Sequence, residues 1–147
     1  MDSSEIDNAL IAKLGADTTL LGYCPNGVFY AEAPAGSTRF VIVSLVDQVD
    51  EPVFGQRAFE DALFMIEVRM LSTAGGNIKA AAARIEALLE DQPLLAPGSP
   101  QADIAGYRWM CCYRESRFRT IEVDDVDPSL RWHRRGANWR IQMSVNP

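Results

Sequence analysis

"RAFEDALFMIEVRMLSTAGGNIKAAAARIEALLED", residues 57–91, carries the two strongest secondary-structure signals of the chain. In its first half apolar and polar residues alternate, so Phe64 and Ile66 share one side while Glu67 lies on the other, which predicts a β-strand with one wet side. After the glycine turn the apolar residues recur at the spacing of a helix, at Ile78, Ala82, Ile85 and Leu89. Asn77 is placed to cap this helix, and Pro93 cannot continue it.

Outward from this segment, the same periodicities predict one further helix and four further strands. The helix covers the opening residues, where Ile6, Leu10 and Leu14 recur every four residues before Gly15. The strands are predicted at "VFY" (28–30), "RFVIVSLVDQV" (39–49), the arginine-rich "YRWMCCYR" (107–114) and "WRIQMSV" (139–145). We therefore expect residues 1–147 to form a single α+β domain: a mainly antiparallel sheet of four to five strands with two helices packed on one face.

Two connections between these strands are candidate contact surfaces. Residues 50–56, "DEPVFGQ", contain proline and glycine and are predicted to form an exposed connection with Phe54 at its tip. Residues 120–136 are predicted to form a second, longer loop, which holds acids, arginines, Trp132 and the only histidine of the chain.

The charge of the chain is divided unevenly along the sequence. The total is −6, but residues 1–103 carry six Lys or Arg against fifteen Asp or Glu, a net −9, and residues 104–147 carry eight against five, a net +3. A negative total repels phosphate backbones at long range, so nucleic acid could bind only to a local basic patch. Separated charges suit a protein that meets copies of itself or a partner through complementary surfaces.

The sequence also carries expectations about compartment. Three cysteines (Cys24, Cys111 and Cys112) leave one unpaired in any intrachain scheme, which favours buried free thiols in a reducing cytosol. The acidic opening does not resemble a signal peptide, and the longest apolar run, "FVIVSLV", is too short to cross a bilayer. We expect no contact with a membrane.

The acidic part of the second loop imitates a calcium site without completing it. Asp125, Asp127 and Ser129 match the first three ligand positions of a calcium loop. Leu130 stands where glycine is needed, and Gly136 stands where a bidentate glutamate is needed. A solvated turn around the proline of this loop accounts for the same residues.

The sequence contains no complete motif for the other catalytic and ligand sites that we considered. A single histidine, His133, excludes a histidine-based zinc site, and no serine lies in a G-x-S-x-G elbow. "STAGGNIKAA", residues 72–81, could offer helix amides to a phosphate, but it lacks the ending of a P-loop and the spacing of a dinucleotide turn. We predict no catalytic residue, no metal ligand and no cofactor.

Two alternatives remain for the arginine-rich and tryptophan-rich segment 131–140. Cations interleaved with rings are the ingredients of a single-strand nucleic-acid platform. The same residues beside acids also have the composition of a protein–protein contact. On the second interpretation, the predicted contact residues are Phe54, Arg131, Trp132, Arg134 and Arg135.

In the order of these elements and in several phrases, the chain resembles the tail-terminator, or tail-completion, proteins of long-tailed bacteriophages and prophage-like particles. The resembling phrases are "EIDNALIAKLGAD", "RFVIVSLV", "ALFMIEVRMLSTAGG" running into "NIKAAAARIEALLED", and "YRWMCCYRES" joined to "ANWRIQMSV" by "VDPSLRWHRRG". Together they span nearly the whole chain. The predicted loop 120–136 is longer than the turn that this family's last hairpin has.

The resemblance implies a structural virion protein without enzymatic activity. It implies six copies in a ring at the head-proximal end of the tail tube, which end tube polymerisation and join the tail to the head connector. Its partners would be further copies of itself, the tail tube protein and the head–tail connector protein, and DNA would pass through without specific binding. The protein would be made in the bacterial host cytoplasm and would reside in the virion tail, at the head–tail junction.

Overall fold

Three helices and five strands make up the chain in a computed structural model, which describes residues 4–53, 56–72, 77–98 and 102–145. In chain order they are α1 (Ser4–Gly15), α2 (Thr18–Tyr23), β1 (Val28–Tyr30), β2 (Arg39–Val53), β3 (Gln56–Ser72), α3 (Ile78–Leu89), β4 (Tyr107–Val123) and β5 (Arg131–Val145). The predicted α+β class is confirmed. The prediction of two helices is wrong because α2 has only six residues, too few to show a helical repeat.

The strands form one mixed sheet in the order β1-β2-β3-β5-β4. The short β1 pairs with β2 in parallel, and every other pair is antiparallel. The strand β3 lies at the centre, between β2 and β5. Two long hairpins, β2–β3 and β4–β5, are thereby joined side by side.

One face of the sheet, the helix face, carries the core. Alternate residues of β3 and β5 point towards it, and they are buried together with apolar residues of α1, α2 and α3. The predicted stripe of α1, at Ile6, Leu10 and Leu14, is fully buried here. In α3 the buried residues are Ala81, Ile85 and Leu89, so Ala81 takes the place predicted for Ala82. All three helices therefore cover the same face, as the α+β prediction required.

The opposite face of the sheet, which we name the outer face, is less exposed to solvent than the alternation of β3 predicts. Phe40 and Ile42 of β2 are buried there, and Phe40 packs edge-on against Phe29 and Trp132, with ring centroids 6.4 and 5.9 Å apart. Glu67 also lies on this face and has 0% exposure. Both faces of β2 are buried at residues 40–43, which confirms the prediction of a covered strand for this part of β2.

The strands are longer than predicted at both connections. β2 continues to Val53 and β3 begins at Gln56, so the predicted connection 50–56 belongs mostly to a hairpin. β1 pairs only with Val41–Val43, which leaves one side of the rest of β2 without a partner strand among the described residues, and an edge strand accommodates Pro52. Phe54 lies outside the described residues.

The predicted loop 120–136 is also mostly strand. β4 runs to Val123 and β5 begins at Arg131, so only seven residues, 124–130, connect them. The seven-residue turn is held by hydrogen bonds between the main chains of Asp124 and Leu130 and between Leu130 and Asp127. The arginines and Trp132 of this segment are therefore presented by a paired strand, which fixes their directions.

A half-buried N-cap joins α2 to α3. Asp17 accepts a hydrogen bond from the amide of Leu20 at 2.8 Å and two from Arg84, at 2.7 and 2.8 Å. The hydrogen bonds from Arg84 lower the pKa of Asp17, with a smaller contribution from the Leu20 amide. By contrast, the side chain of Asn77, predicted to cap α3, makes no capping hydrogen bond.

Replacing Asp17 with alanine is expected to lower the free energy of unfolding by about 1 kcal/mol at neutral pH, because the cap is lost. Since the folded pKa is depressed, the part of the stabilisation that depends on the charge of Asp17 is complete above the unfolded pKa of about 4 and disappears as the pH falls through the lower folded pKa. Urea unfolding at pH 7 and pH 3 measures the effect. Asp17→Asn, which keeps the cap, is the control and should lose only the pH-dependent part; an equal deficit of Asp17→Ala at both pH values would contradict the assignment.

Candidate subunit and partner surface

The predicted contact residues of the last hairpin lie on the first half of β5. Arg131, Trp132, Arg134 and Arg135 are all half-buried strand residues. Because neighbouring strand residues point to opposite faces, Trp132 and Arg134 belong to the outer face, and Arg131 and Arg135 to the helix face. The structure therefore divides them between two surfaces.

On the outer face Arg134 is engaged within the chain. Its guanidinium donates to both carboxylate oxygens of Glu67, at 2.9 to 3.2 Å, and to Glu122 at 3.3 Å. Arg69 donates to the same Glu67 at 2.6 Å. Burial alone would lower the pKa of Arg134, but the hydrogen bonds to Glu67 and Glu122 raise it. Arg134 thus neutralises a buried acid.

Trp132 and Arg131 hold the turn at the end of the hairpin. The indole N–H of Trp132 donates to Asp124 at 3.1 Å, and its ring packs against Phe40. Arg131 donates to the carbonyl oxygens of Pro128 and Leu130, at 2.5 and 3.1 Å. Both side chains keep an exposed portion, but the indole N–H of Trp132 and the Nη1 group of Arg131 already have partners within the chain.

These contacts bear on the nucleic-acid alternative for residues 131–140. Arg140, the last cation of the segment, is paired with Asp61 at 2.8 Å and with Glu115 at 3.2 Å. Of the cations on this described stretch, Arg135 alone has a side chain that makes no hydrogen bond or ion pair. Trp139 is buried in the core. A single-strand binding platform needs exposed rings for the bases and free cations for the phosphates, but most of these side chains are already paired or buried.

The sole histidine occupies a position that the sequence did not predict. His133 faces the helix side between Met70 and Ile121, and its Nε2 atom is buried with no hydrogen-bond partner among the described residues. It is not the surface hydrogen-bonding group that a histidine among arginines suggests. No carboxylate or cysteine in the described ranges joins it in a group of three that could hold a metal ion.

The turn of the last hairpin, residues 124–130, forms an acidic tip. Asp124 accepts a hydrogen bond from the amide of Asp127, and Asp127 accepts from the amide and hydroxyl of Ser129. Those hydrogen bonds lower the pKa of Asp127. Asp125 makes no such contact, and Val126 beside it is 92% exposed. Of the two acids that imitate a calcium loop, Asp127 is therefore used as a turn acceptor, and one apolar side chain projects between it and Asp125.

A groove of about 580 Å³ lies on the helix face, between α3 and the β4–β5 hairpin. Its apolar lining includes Ile66, Ala82, Ile85, Ala137 and Trp139, and its basic residues are Lys79, Arg114, Arg117, Arg119 and Arg135. We name it the basic groove. The one acid in its lining, Glu86, is bound to Arg114 at 2.7 Å.

Sequence reasoning found Arg135 but missed the other cations of the basic groove. A strand that alternated perfectly would separate Arg114 from Arg117 and Arg119. An irregularity at Glu115 shifts the register, so that Arg114 pairs with Trp139 and Arg117 with Ala137, on one face. A second shift between Trp109 and Cys111 buries Cys112 and leaves Cys111 half-buried. The spacing of the arginines is visible in the sequence, but it does not show that they share one face, because the shared face depends on the bulge.

The thiols offer no reactive group. Burial raises the pKa of Cys24 and Cys112 to about 12, and it also raises the pKa of Cys111. A protonated thiol is a poor nucleophile at neutral pH. All three cysteines are free, as predicted, although Cys111 is only half-buried.

No helix in the described ranges is long and apolar enough to span a bilayer.

Comparison with known proteins gives similarity of fold without similarity of sequence. No protein-family model matches the chain, and no curated protein matches it. Among solved structures, it is similar to a chain from the virion of the native gene transfer agent (GTA) particle, with a TM-score of 0.68 and 19% identity, over 97% of this chain and 96% of that one. A second solved chain is similar over 100% of this chain and 97% of its own, with a TM-score of 0.58 and 13% identity.

Proposed function

We propose that this protein is a structural component of a phage-like virion, with no enzymatic activity, and that it acts as a tail terminator. Six copies would form a ring at the head-proximal end of the tail tube, end tube polymerisation and join the tail to the head connector. The observation that carries the proposal is the agreement of fold with a GTA virion chain along almost the full length of both chains. This similarity of fold agrees with the resemblance to tail terminators that the sequence shows independently.

A shared fold alone is a weak argument for a shared function, because one fold serves many functions. The surface of this chain adds a second argument. Subunits in a closed ring contact each other through two different patches, whereas a symmetric dimer uses one patch twice. Four cations whose side chains have no partner among the described residues lie in the basic groove, and exposed acids lie elsewhere, for example on the acidic tip. Such a molecule is suited to head-to-tail contacts.

Open strand edges support the same interpretation. In the described residues β4 pairs only with β5, and β2 has no partner on its other side beyond Val43. Exposed apolar side chains, among them Val46 and Val49 on β2 and Ile121 and Val123 on β4, accompany these edges. Unpaired edges with apolar residues favour association with another chain unless they are protected.

The negative total charge fits a channel for DNA. With a net charge of −6, the subunit repels phosphate backbones at long range. DNA that passes through a ring of six such subunits would slide without sticking, provided that the basic groove is turned towards protein neighbours. The tail tube protein and the head–tail connector protein are the partners that this arrangement requires.

The test is direct observation of the assembly. Electron microscopy of the purified protein, alone and with tail tube subunits of the same particle, is expected to show annular particles with a central hole. Added to polymerising tube subunits, the protein should shorten the tubes and appear at one end. A protein that stays monomeric in light scattering at every concentration, and leaves tube length unchanged, would contradict the proposal.

A further inference from the structure

The basic groove contains cations that the chain itself does not neutralise. The side chains of Lys79, Arg117, Arg119 and Arg135 make no ion pair or hydrogen bond with any described residue, and Glu86 is already bound to Arg114. Five cations against one acid give the lining a net charge of +4. Like charges held close together repel one another, so a ligand that brings negative charge would be attracted here.

The floor of the basic groove limits what that ligand can be. Apolar side chains from three elements, such as Ile85 of α3, Ala137 of β5 and Ile66 of β3, line it beneath the charged rim. Ile66, Ile85 and Ala137 are themselves buried, so the apolar surface that remains accessible lies at Ala82, Ala83 and Phe118, and a simple inorganic anion would leave that surface in water. A segment that carries an apolar side chain between carboxylates matches both parts of the groove.

The chain has such a segment in the acidic tip. Val126 is 92% exposed and stands between Asp125 and Asp127, both of which are also exposed. With Asp124, the tip has three carboxylates and no lysine or arginine. Covering a valine side chain that is this exposed removes apolar surface from water, which is favourable in free energy.

The tip cannot enter the groove of its own chain. β4 and β5 remain paired as far as Val123 and Arg131, and the groove residue Arg119 lies four residues down the same strand. At about 3.3 Å per residue this is a separation of roughly 13 Å along a continuous ladder. The hairpin therefore holds its own tip away from its own groove, and the complementary groove must belong to another copy.

We infer that the acidic tip of one copy binds in the basic groove of the next, with Val126 on the apolar floor and the carboxylates against the arginines. This inference rests on the proposed ring, and it names the contact that builds it. Because tip and groove are different patches, each copy gives one and receives one, and the contact repeats head to tail until the ring closes.

Reversing the charge of each side tests the contact. The groove variant, Arg117→Glu with Arg119→Glu and Arg135→Glu, changes the lining from +4 to −2 and removes side chains that have no partner in the described fold. The tip variant, Asp125→Lys with Asp127→Asn and Ser129→Lys, changes the tip from −3 to +1 while Asn keeps an acceptor for the turn. Each variant alone is expected to be monomeric in light scattering, at concentrations where the natural protein assembles.

Mixing the two variants supplies the decisive observation. In an equimolar mixture every groove finds a tip of opposite charge, so assembly should return with the two proteins alternating. The return also shows that both variants fold. A single chain that carries both sets of changes should assemble by itself. As a milder change, Val126→Ser is expected to weaken assembly about tenfold, through loss of the apolar anchor.

The outcomes separate this inference from the proposed function. If the natural protein forms rings and both charge variants form them equally, the tip–groove contact is wrong and the ring stands. If the natural protein forms open chains that either variant disperses, the contact is right and the closed ring is wrong. A natural protein that is monomeric with and without tube subunits refutes both. Oligonucleotide binding that the groove variant abolishes, without self-association, assigns the groove to nucleic acid and overturns the inference.

Discussion

Replacing Gly136 with alanine should lower the free energy of unfolding by about 3 kcal/mol. A Cβ at this position would overlap the carbonyl oxygen of Ile66 and lie 2.7 Å from both the Cα and the Cβ of Glu67. The atoms in the way include backbone of the central strand, which cannot turn aside as a flexible side chain could. For a domain of this size, the melting temperature should fall by roughly 10 °C.

Gly22→Ala is the matched control. Gly22 lies in α2, and a Cβ there would meet nothing within 4 Å. Alanine is the better helix former, so this change should leave stability unchanged or raise it by up to about 1 kcal/mol. Thermal and urea unfolding of both variants measure the difference. Equal stability of the two would show that β3 and β5 can separate at Gly136, and that the close approach is not required.

The sequence predicts the centre of this fold better than its ends. The strand β3, the helix α3 and the second half of β5 each bury one stripe, so the repeat of apolar residues identifies them. The end of the β4–β5 hairpin buries little, and the acids of "DDVDPSL" and the proline in "DEPVFGQ" are typical of loops. Hydrogen bonds to a neighbouring strand extend β2 to Val53, within the second of these stretches, and β4 to Val123, next to the first, and such pairing leaves no periodic signal.

The basic groove could not be predicted for a related reason. Its cations come from α3, β4 and β5, and their meeting depends on which strands pair and where one residue is inserted. The irregularity at Glu115 brings Arg114 to the same face as Arg117. A sequence read without the partner strand gives their spacing but not their common side.

Glu67 shows the same limit at a single position. The alternation of β3 assigns it correctly to the face opposite Phe64, and that face was expected to be wet. Arg134, 67 residues later in the chain, and Arg69 cover it, so its exposure is 0%. The burial of this acid results from a pairing between β3 and β5 that only the assembled sheet provides.

Arg134→Met should therefore lower the free energy of unfolding by about 3 kcal/mol, because it leaves a buried carboxylate with Arg69 as its remaining partner. Arg140→Met is the matched control, since Arg140 also binds two acids, Asp61 and Glu115. Their side chains are 18% and 43% exposed, so water can replace the arginine, and the expected loss is about 1 kcal/mol. The burial of the acid, rather than the number of ion pairs, decides the difference.

The double variant Glu67→Leu with Arg134→Met separates two effects on stability: the loss of the ion pair, and the cost of leaving the buried Glu67 carboxylate without Arg134. Leucine and methionine fill similar space without a charge, and the side chain of Arg69, 34% exposed, can turn to water. The double variant is expected to recover most of the stability lost by Arg134→Met, with a coupling of at least about 1 kcal/mol in the double-mutant cycle. Urea unfolding of the four proteins supplies the cycle. Additive losses would mean that Glu67 is solvated in solution and that Arg134 is free to contact a neighbouring subunit; a strong coupling would mean that Arg134 maintains the fold, which leaves Arg135 and the basic groove for assembly.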